Sequence, residues 1–246
     1  ELRTVTITNF QRSLTPKAVG HNVRTLVNMA LSDTQARRIL KDFQPELVVG
    51  TGGYASYPVV KAAAKQGIPT AVHESNAVPG LTTKTLSKVV DVVMVGFAES
   101  RNAYEKPEKV VVTGTPVRGD FFRYTRTEAR EKLGLADELP LLVSFWGSLG
   151  AERMNEMMGD FLALECAAGA PFHHIHGAGR NYGAMKENLA GRSEVRSLRT
   201  ADPGALGRIR VQEYIDDMPL VMAAADLVIC RSGASTISEL AAIAKP

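Results

Sequence analysis

The feature that most constrains this chain is a unit that recurs along it: a short apolar run without alternation, a loop of small residues, then a helical pattern. "ELVVG" leads through "TGGYASYP" into "VVKAAAKQG", with Gly67 placed to end a helix and Pro69 just beyond it. "LPLLVSF" leads through "WGSLGA" into "ERMNEMMGDFLALECAA", and "ADLVIC" leads through "RSGAS" into "TISELAAIAK". Further apolar runs ("PTAVHE", "VDVVMVG", "KVVVTG", "PFHHIHG", "RIRVQEYI") fall between them. A strand exposed on one face alternates apolar and polar residues, whereas one buried on both faces does not. Continuous apolar strands separated by helices therefore predict an α/β fold of doubly wound parallel sheets with helices on both faces.

The pattern pauses once, at "GTPVRGDFFRYTRTEAREKLGLADELP", which is polar and carries one helical piece, "TEAREKLG". A domain boundary is expected near residues 119–123, giving domains at 1–120 and 121–246. The length of 246 residues fits two such units. A net charge of +3 is too small to argue for nucleic acid, so no nucleic-acid partner is expected. Cys166 and Cys230 form no CxxC pattern and read as core thiols of a reducing compartment. With no apolar stretch near the length of a membrane span and no signal peptide, the expected location is cytoplasmic. The chain opens within an expected strand, "RTVTIT", and stops at Pro246, where a further strand is due. An internal stretch of a longer protein is expected.

Two loops invite a ligand. "RSGASTISEL", residues 231–240, places small residues between a strand and a helix N-terminus, where unpaired N–H groups and the positive dipole end favour an anion. "GTGGYA", Gly50 to Ala55, matches G-x-G-x-x-A after a strand, and Glu74 follows about 20 residues later, the spacing of a dinucleotide fingerprint. An NAD-dependent oxidoreductase using that loop is one reading. Glycines serving a tight turn and close helix packing are the other.

Taken together and in order, "TGGYASYP", "HESNAVPGLTTKTL", "VVVTGTPVR", "FWGSLGAERMN", "EYIDDM" and "RSGASTISEL" resemble the MurG family of bacterial glycosyltransferases. The likeness runs over essentially all 246 residues. It implies a GT-B type architecture, with two Rossmann-like domains facing a central cleft. It also implies transfer of N-acetylglucosamine from UDP-N-acetylglucosamine to a lipid-linked muramoyl-pentapeptide (lipid I to lipid II) in peptidoglycan synthesis. Inversion at the anomeric carbon, a metal-independent donor site and no cofactor come with it. The first domain would face the acceptor and the membrane, and the second would bind the UDP-sugar.

Carried over by position, Asn76 of "HESN" contacts the donor, Arg118 of "TPVR" is the cleft arginine, and Ser148 of "WGSLGA" meets the donor diphosphate. Ile215 of "EYIDDM" lies against uracil. Ala234, Ser235, Thr236, Ile237, Ser238 and Glu239 hold diphosphate and ribose, with Glu239 accepting from the ribose hydroxyls. Plainer readings stand beside these. Thr236 and Glu239 also spell a T-x-x-E capping box, and Arg118 could pair with Asp120. His73 could be a core histidine or a cleft residue, and Asp216 and Asp217 a solvated helix start. His173, His174 and His176 alternate along a strand, with the outer two expected on one face; no carboxylate or cysteine lies nearby in sequence, so no metal site is expected.

The family usually opens with a glycine-rich loop carrying a histidine and ends with a glutamine-rich segment that contacts the sugar. Neither is in this sequence, and Trp146 stands where many members have glycine. The base implied by the resemblance belongs to that opening loop, with His73 as the alternative here. A non-catalytic, sugar-nucleotide-binding piece is the matching alternative to an active enzyme. The stretch 7–41 is the expected membrane-facing surface. It mixes Phe10, Leu14, Val19, Leu26, Val27 and Met29 with Arg12, Lys17, Arg24, Arg37, Arg38 and Lys41, against Asp33 and Asp42. Docking on anionic lipid at the cytoplasmic face of the cell membrane is one reading; an ordinary amphipathic helix is the other.

Overall fold

In the computed structural model, described over residues 1–7, 31–147 and 149–246, the chain divides into two compact units, Glu1–Thr115 and Pro116–Pro246. Most of the expected membrane-facing stretch, residues 8–30, and Ser148 lie outside the described residues.

The first unit is a parallel sheet in the order β1 (Val48–Gly50), β2 (Thr70–Glu74), β3 (Val92–Val95), β4 (Val110–Val112). Residues 31–43 form helix α1; α2 is Gly53–Lys65 and α3 is Leu81–Leu86. One face of the sheet carries Val72, Val93, Val95 and Val110, packed with Val60, Leu86, Val90 and Tyr104. Helix α1 packs outside α2, Ala36 and Leu40 meeting Ala62 and Ala63. On the opposite face Val49 and Val111 are each 50% exposed. Among the described residues, helices thus cover one side of this sheet only.

Two local expectations change here. Residues 1–7 form no strand; Thr6 is held instead by Gln35 of α1, its N–H donating to Oε1 at 2.7 Å. Helix α2 starts at Gly53 and takes in Pro58, so most of the expected loop "TGGYASYP" is helical. A proline in the second turn removes one hydrogen bond but need not break the helix when its ring is buried, as Pro58 is.

In the second unit the order is β7–β6–β5–β8, all parallel, with β5 at Leu141–Phe145, β6 at His173–Gly177, β7 at Ile209–Gln212 and β8 at Leu227–Cys230. The helices are α4 (Arg126–Lys132), α5 (Glu152–Ala167), α6 (Tyr182–Gly191), α7 (Ser193–Ala201), α8 (Pro203–Leu206), α9 (Met218–Ala224) and α10 (Ala234–Ala242). Every residue of β5 and β6 is buried, which is why neither strand alternates in sequence. Leu141, Val143, Phe145 and Ile175 pack with Ile215, Val221 and Val228 on one side. The other side carries polar groups that satisfy one another: Ser144 Oγ lies 2.7 Å from both His174 Nε2 and His176 Nδ1.

The expectation that His173 and His176 share a face is therefore corrected. A strand has period two, so His174 and His176 lie together, while His173 reaches Asp137 Oδ1 at 2.8 Å. Carboxylates absent from the neighbouring sequence arrive through the fold, Asp137 beside His173 and Glu165 Oε2 at 2.6 Å from His174 Nδ1. Burial, then the neighbouring His174, pushes His176 down to about 4. Among the described residues, no cluster of three or more His, Cys, Asp or Glu is arranged to hold a metal ion.

Candidate functional site

The strand order of the second unit steps from β5 outward to β6 and β7, then returns to β8 on the other side of β5. Loops leaving the carboxyl ends of β5 and β8 must diverge there, and such reversals are where open α/β sheets take ligands. A cavity of about 480 Å³ lies at this end. Phe145 and Gly147 line it from β5, Gly177 from β6, Glu213 to Asp216 and Met218 from the segment after β7, and Ser235, Thr236 and Glu239 from α10. Arg118 and Phe121 line it from the turn that opens the unit.

Each wall has a local cause. Helix α10 is capped by Gly233 with no side-chain bond, and its first turn holds no acid. The first bond within the helix is Ile237 N–H to Gly233 O at 2.9 Å, so the N–H groups of Ala234, Ser235 and Thr236 precede the ladder. Ile215 turns its side chain into the core, 4% exposed, where Cδ1 lies 3.3 Å from the place a Cβ on Gly177 would take. Asp217 caps α9, its carboxylate accepting from Leu220 N at 3.0 Å, while Asp216 lines the cavity.

Arg118 stacks over the Phe121 ring, 5.5 Å from its centroid, and pairs with Asp120 at 3.6 Å. Burial raises the Glu239 carboxyl above the usual carboxylate range; Arg118 pulls it down and Asp120 pushes it up, leaving it raised. The T-x-x-E reading of Thr236 and Glu239 as a capping box is overturned, because Thr236 stands at the third position inside α10, beyond the cap. The unit's reciprocal capping box is instead Thr125 with Glu128 on α4. Ser238 spends its hydroxyl on Ala234 O at 2.9 Å. The cavity thus gathers Arg118, Ile215, Ser235, Thr236 and Glu239, while Ala234, Ile237 and Ser238 share the α10 segment without lining it. Ser148 lies outside the described residues. Tyr214, Met218 and Glu213 also line the cavity; the signal for them is the motif "EYIDDM", in which Ile215 alone carries an expected contact.

Asn76 and His73 belong to the first unit. His73 is half-buried, its Nε2 3.0 Å from Gly114 O. Glu74 is buried and fully employed: Oε1 accepts from Asn76 N at 3.0 Å and Asn76 Nδ2 at 2.8 Å, and Oε2 from Gly80 N at 2.9 Å. Burial raises its carboxyl, but these bonds and one from Thr83 outweigh that and hold it below the usual range. An acid committed to its own loop has no oxygen left for a ribose, which removes the partner that a dinucleotide fingerprint at Gly50–Ala55 requires.

Comparison with known proteins follows the same division. The family model described as "Glycosyltransferase family 28 N-terminal domain" matches residues 1–95, and the one described as "Glycosyltransferase family 28 C-terminal domain" matches residues 141–246. The chain is similar to a "UDP-N-acetylglucosamine--N-acetylmuramyl-(pentapeptide) pyrophosphoryl-undecaprenol N-acetylglucosamine transferase" of Acetivibrio thermocellus, 38% identical over 100% of this chain and 62% of the relative. The protein of the same name from Caldanaerobacter subterraneus is also 38% identical, over 100% and 64%. The chain therefore spans somewhat less than two thirds of these relatives. Among solved structures it is similar to Acinetobacter baumannii MurG, with TM-score 0.59 and 29% identity over 89% of this chain and 56% of that one. The fold is shared with the UDP-GlcNAc 2-epimerase from Neisseria meningitidis solved with UDP-GlcNAc, with TM-score 0.55 and 18% identity over 89% and 64%.

Proposed function

We infer that this chain, which belongs to glycosyltransferase family 28, is the nucleotide-sugar-binding body of an enzyme that transfers N-acetylglucosamine from UDP-N-acetylglucosamine to a lipid-linked muramoyl-pentapeptide. The observation that carries this reading is the meeting, in one cavity, of the α10 N-terminus, Glu239 and Arg118. Unpaired N–H groups at a helix start suit a diphosphate, and they stabilise the negative charge that grows on departing UDP. In this reading Glu239 accepts from ribose hydroxyls, Ile215 lies against uracil, and Arg118 offsets phosphate charge. In the first unit, Asn76 is the proposed donor contact, its amide nitrogen held by Glu74 and its carbonyl left as the acceptor. The acceptor hydroxyl must lose a proton as it attacks; we assign no base among these residues.

Isothermal titration of the chain with UDP and with NAD tests the reading. UDP should bind and NAD should not. Glu239→Ala should weaken UDP by about 1.5–3 kcal/mol through loss of a charge-assisted bond. NAD binding, or unchanged UDP affinity in Glu239→Ala, sinks it. A lipid-linked acceptor further implies docking at an anionic membrane surface on the cytoplasmic side; no helix among the described residues is long and apolar enough to cross a bilayer. In sedimentation with vesicles at low salt, the chain should pellet with anionic and not neutral lipid, and Arg12, Lys17 and Arg24 changed to Gln should reduce pelleting. Equal pelleting with both lipids refutes electrostatic docking.

A further inference from the structure

The core of the second unit holds five polar side chains that none of the chemistry above uses. Ser144, His174 and His176 are fully buried, and Asn155 and Glu165 are each 4% exposed. They form one chain of contacts: Glu165 Oε2 to His174 Nδ1 at 2.6 Å, His174 Nε2 to Ser144 Oγ at 2.7 Å, Ser144 Oγ to His176 Nδ1 at 2.7 Å, and His176 Nε2 to Asn155 Oδ1 at 3.2 Å. The last link is Asn155 Nδ2 to Ala178 O at 2.7 Å.

We propose that this chain runs in one direction only, and that Glu165 is thereby a positioning residue for the nucleotide cavity. The direction follows link by link. A carbonyl only accepts, so Asn155 must turn its amide nitrogen to Ala178, which leaves Oδ1 as an acceptor toward His176. His176 Nε2 therefore carries the hydrogen. His176 is neutral in this environment, so its Nδ1 is a lone pair and Ser144 donates to it. Ser144 has a single hydrogen and has spent it, so His174 Nε2 must donate to Ser144. One proton then lies between His174 Nδ1 and Glu165 Oε2. Reversing any link would set acceptor against acceptor at Ala178, a buried mismatch.

The end of the chain bears on the cavity. The Ala178 carbonyl sits 2.4 Å from the place a Cβ on Gly150 would take, and a Cβ on Gly179 would lie equally close to Gly150 N. Orienting the Ala178 peptide thus sets how the loop after β5 lies on the turn after β6. Gly147 and Gly177, the cavity-lining residues of those two segments, flank that contact. Glu165 does not line the cavity and acts through four intermediaries. The link to nucleotide affinity rests on the reading given above; the direction of the hydrogen bonds does not.

The test takes the whole 246-residue chain, labelled with ¹⁵N, and reads histidine tautomers by long-range ¹H–¹⁵N correlation, with UDP affinity measured in parallel. His176 should be the neutral Nε2–H tautomer. Glu165→Gln, whose amide nitrogen can still donate to His174 Nδ1, should keep that tautomer and a UDP Kd within about twofold. Glu165→Leu, which has nothing to donate, should raise the Kd by about tenfold, the scale of one hydrogen bond. Leu198→Ala, a core change in the separate apolar cluster with Cys166, Ala170, Val195 and Ala205, should lower stability and leave the Kd unchanged. An Nδ1–H tautomer at His176, or wild-type affinity in a folded Glu165→Leu, overturns the proposal. If Glu165→Leu does not fold, the His176 tautomer of the unaltered chain and the Glu165→Gln affinity still decide. If the unaltered chain shows the expected tautomer but binds no UDP, the direction is upheld and the nucleotide reading falls with its link to affinity.

Discussion

Gly150→Ala isolates the cost of the tightest backbone approach in the second unit. Gly150 has φ +73°, and a Cβ there would lie 2.4 Å from Ala178 O, against a backbone atom that cannot rotate away. The left-handed conformation alone costs an alanine about 1 kcal/mol. Relieving the overlap requires the Ala178 peptide to move by roughly an ångström, beyond what hydrogen bonds tolerate. That peptide and its neighbour hold three bonds: Ala178 N to Gln212 O at 2.9 Å, Gly179 N to Glu213 O at 2.8 Å, and Asn155 Nδ2 to Ala178 O at 2.7 Å. At about 1 kcal/mol each, losing two of them brings the total to about 3 kcal/mol. For a chain of this length that is a fall in Tm of about 6–12 °C. Gly169→Ala supplies the control, since its φ is +76° and nothing lies within 4 Å of the added carbon. It should lose only the conformational part, about 2–4 °C. Differential scanning calorimetry compares the two. Equal shifts would refute the steric argument and leave only backbone strain.

Two further outcomes follow from groups described above. His176 is held down at about 4 in the fold against roughly 6.5 when unfolded, so its neutral form contributes stability that is complete above pH 6.5 and is lost as pH falls toward 4. The swing is about 3 kcal/mol, and urea unfolding at stepped pH should show it in the unaltered chain and not in His176→Gln. Asp217→Ala removes the cap of α9 and should cost about 1 kcal/mol in the same assay; no loss would mean that Leu220 N–H finds another acceptor.

The strands of both units were legible because a strand buried on both faces must be apolar along its whole length, and "LLVSF" and "TAVHE" nearly are. The loop "RSGAST" was legible as a strand-to-helix turn because small residues suit a change of direction before a helix start. Helix starts were less so: Pro58 argues for a loop locally, and burial against the sheet overrides it. The commitment of Glu74 to the Asn76–Gly80 loop, and the partnership of Ser144 with two histidines some thirty residues on, depend on sheet register. No spacing within one segment encodes a register between two. The histidine faces were misjudged for a simpler reason, the period of a strand.

The return of the chain to β8 on the far side of β5 also orders events in time. The first wall of the cavity, at Arg118, is made about 120 residues before the last, at Glu239, and synthesis at roughly 5–20 residues per second separates them by about 6–24 s. During that interval β5, β6 and β7 can pair, but the flank of β5 destined for β8 stands open, with Val143 and Phe145 lacking their register partners Val228 and Cys230. A nascent chain is therefore obliged to carry an unpaired strand edge through translation, and the cavity exists only once α10 has emerged.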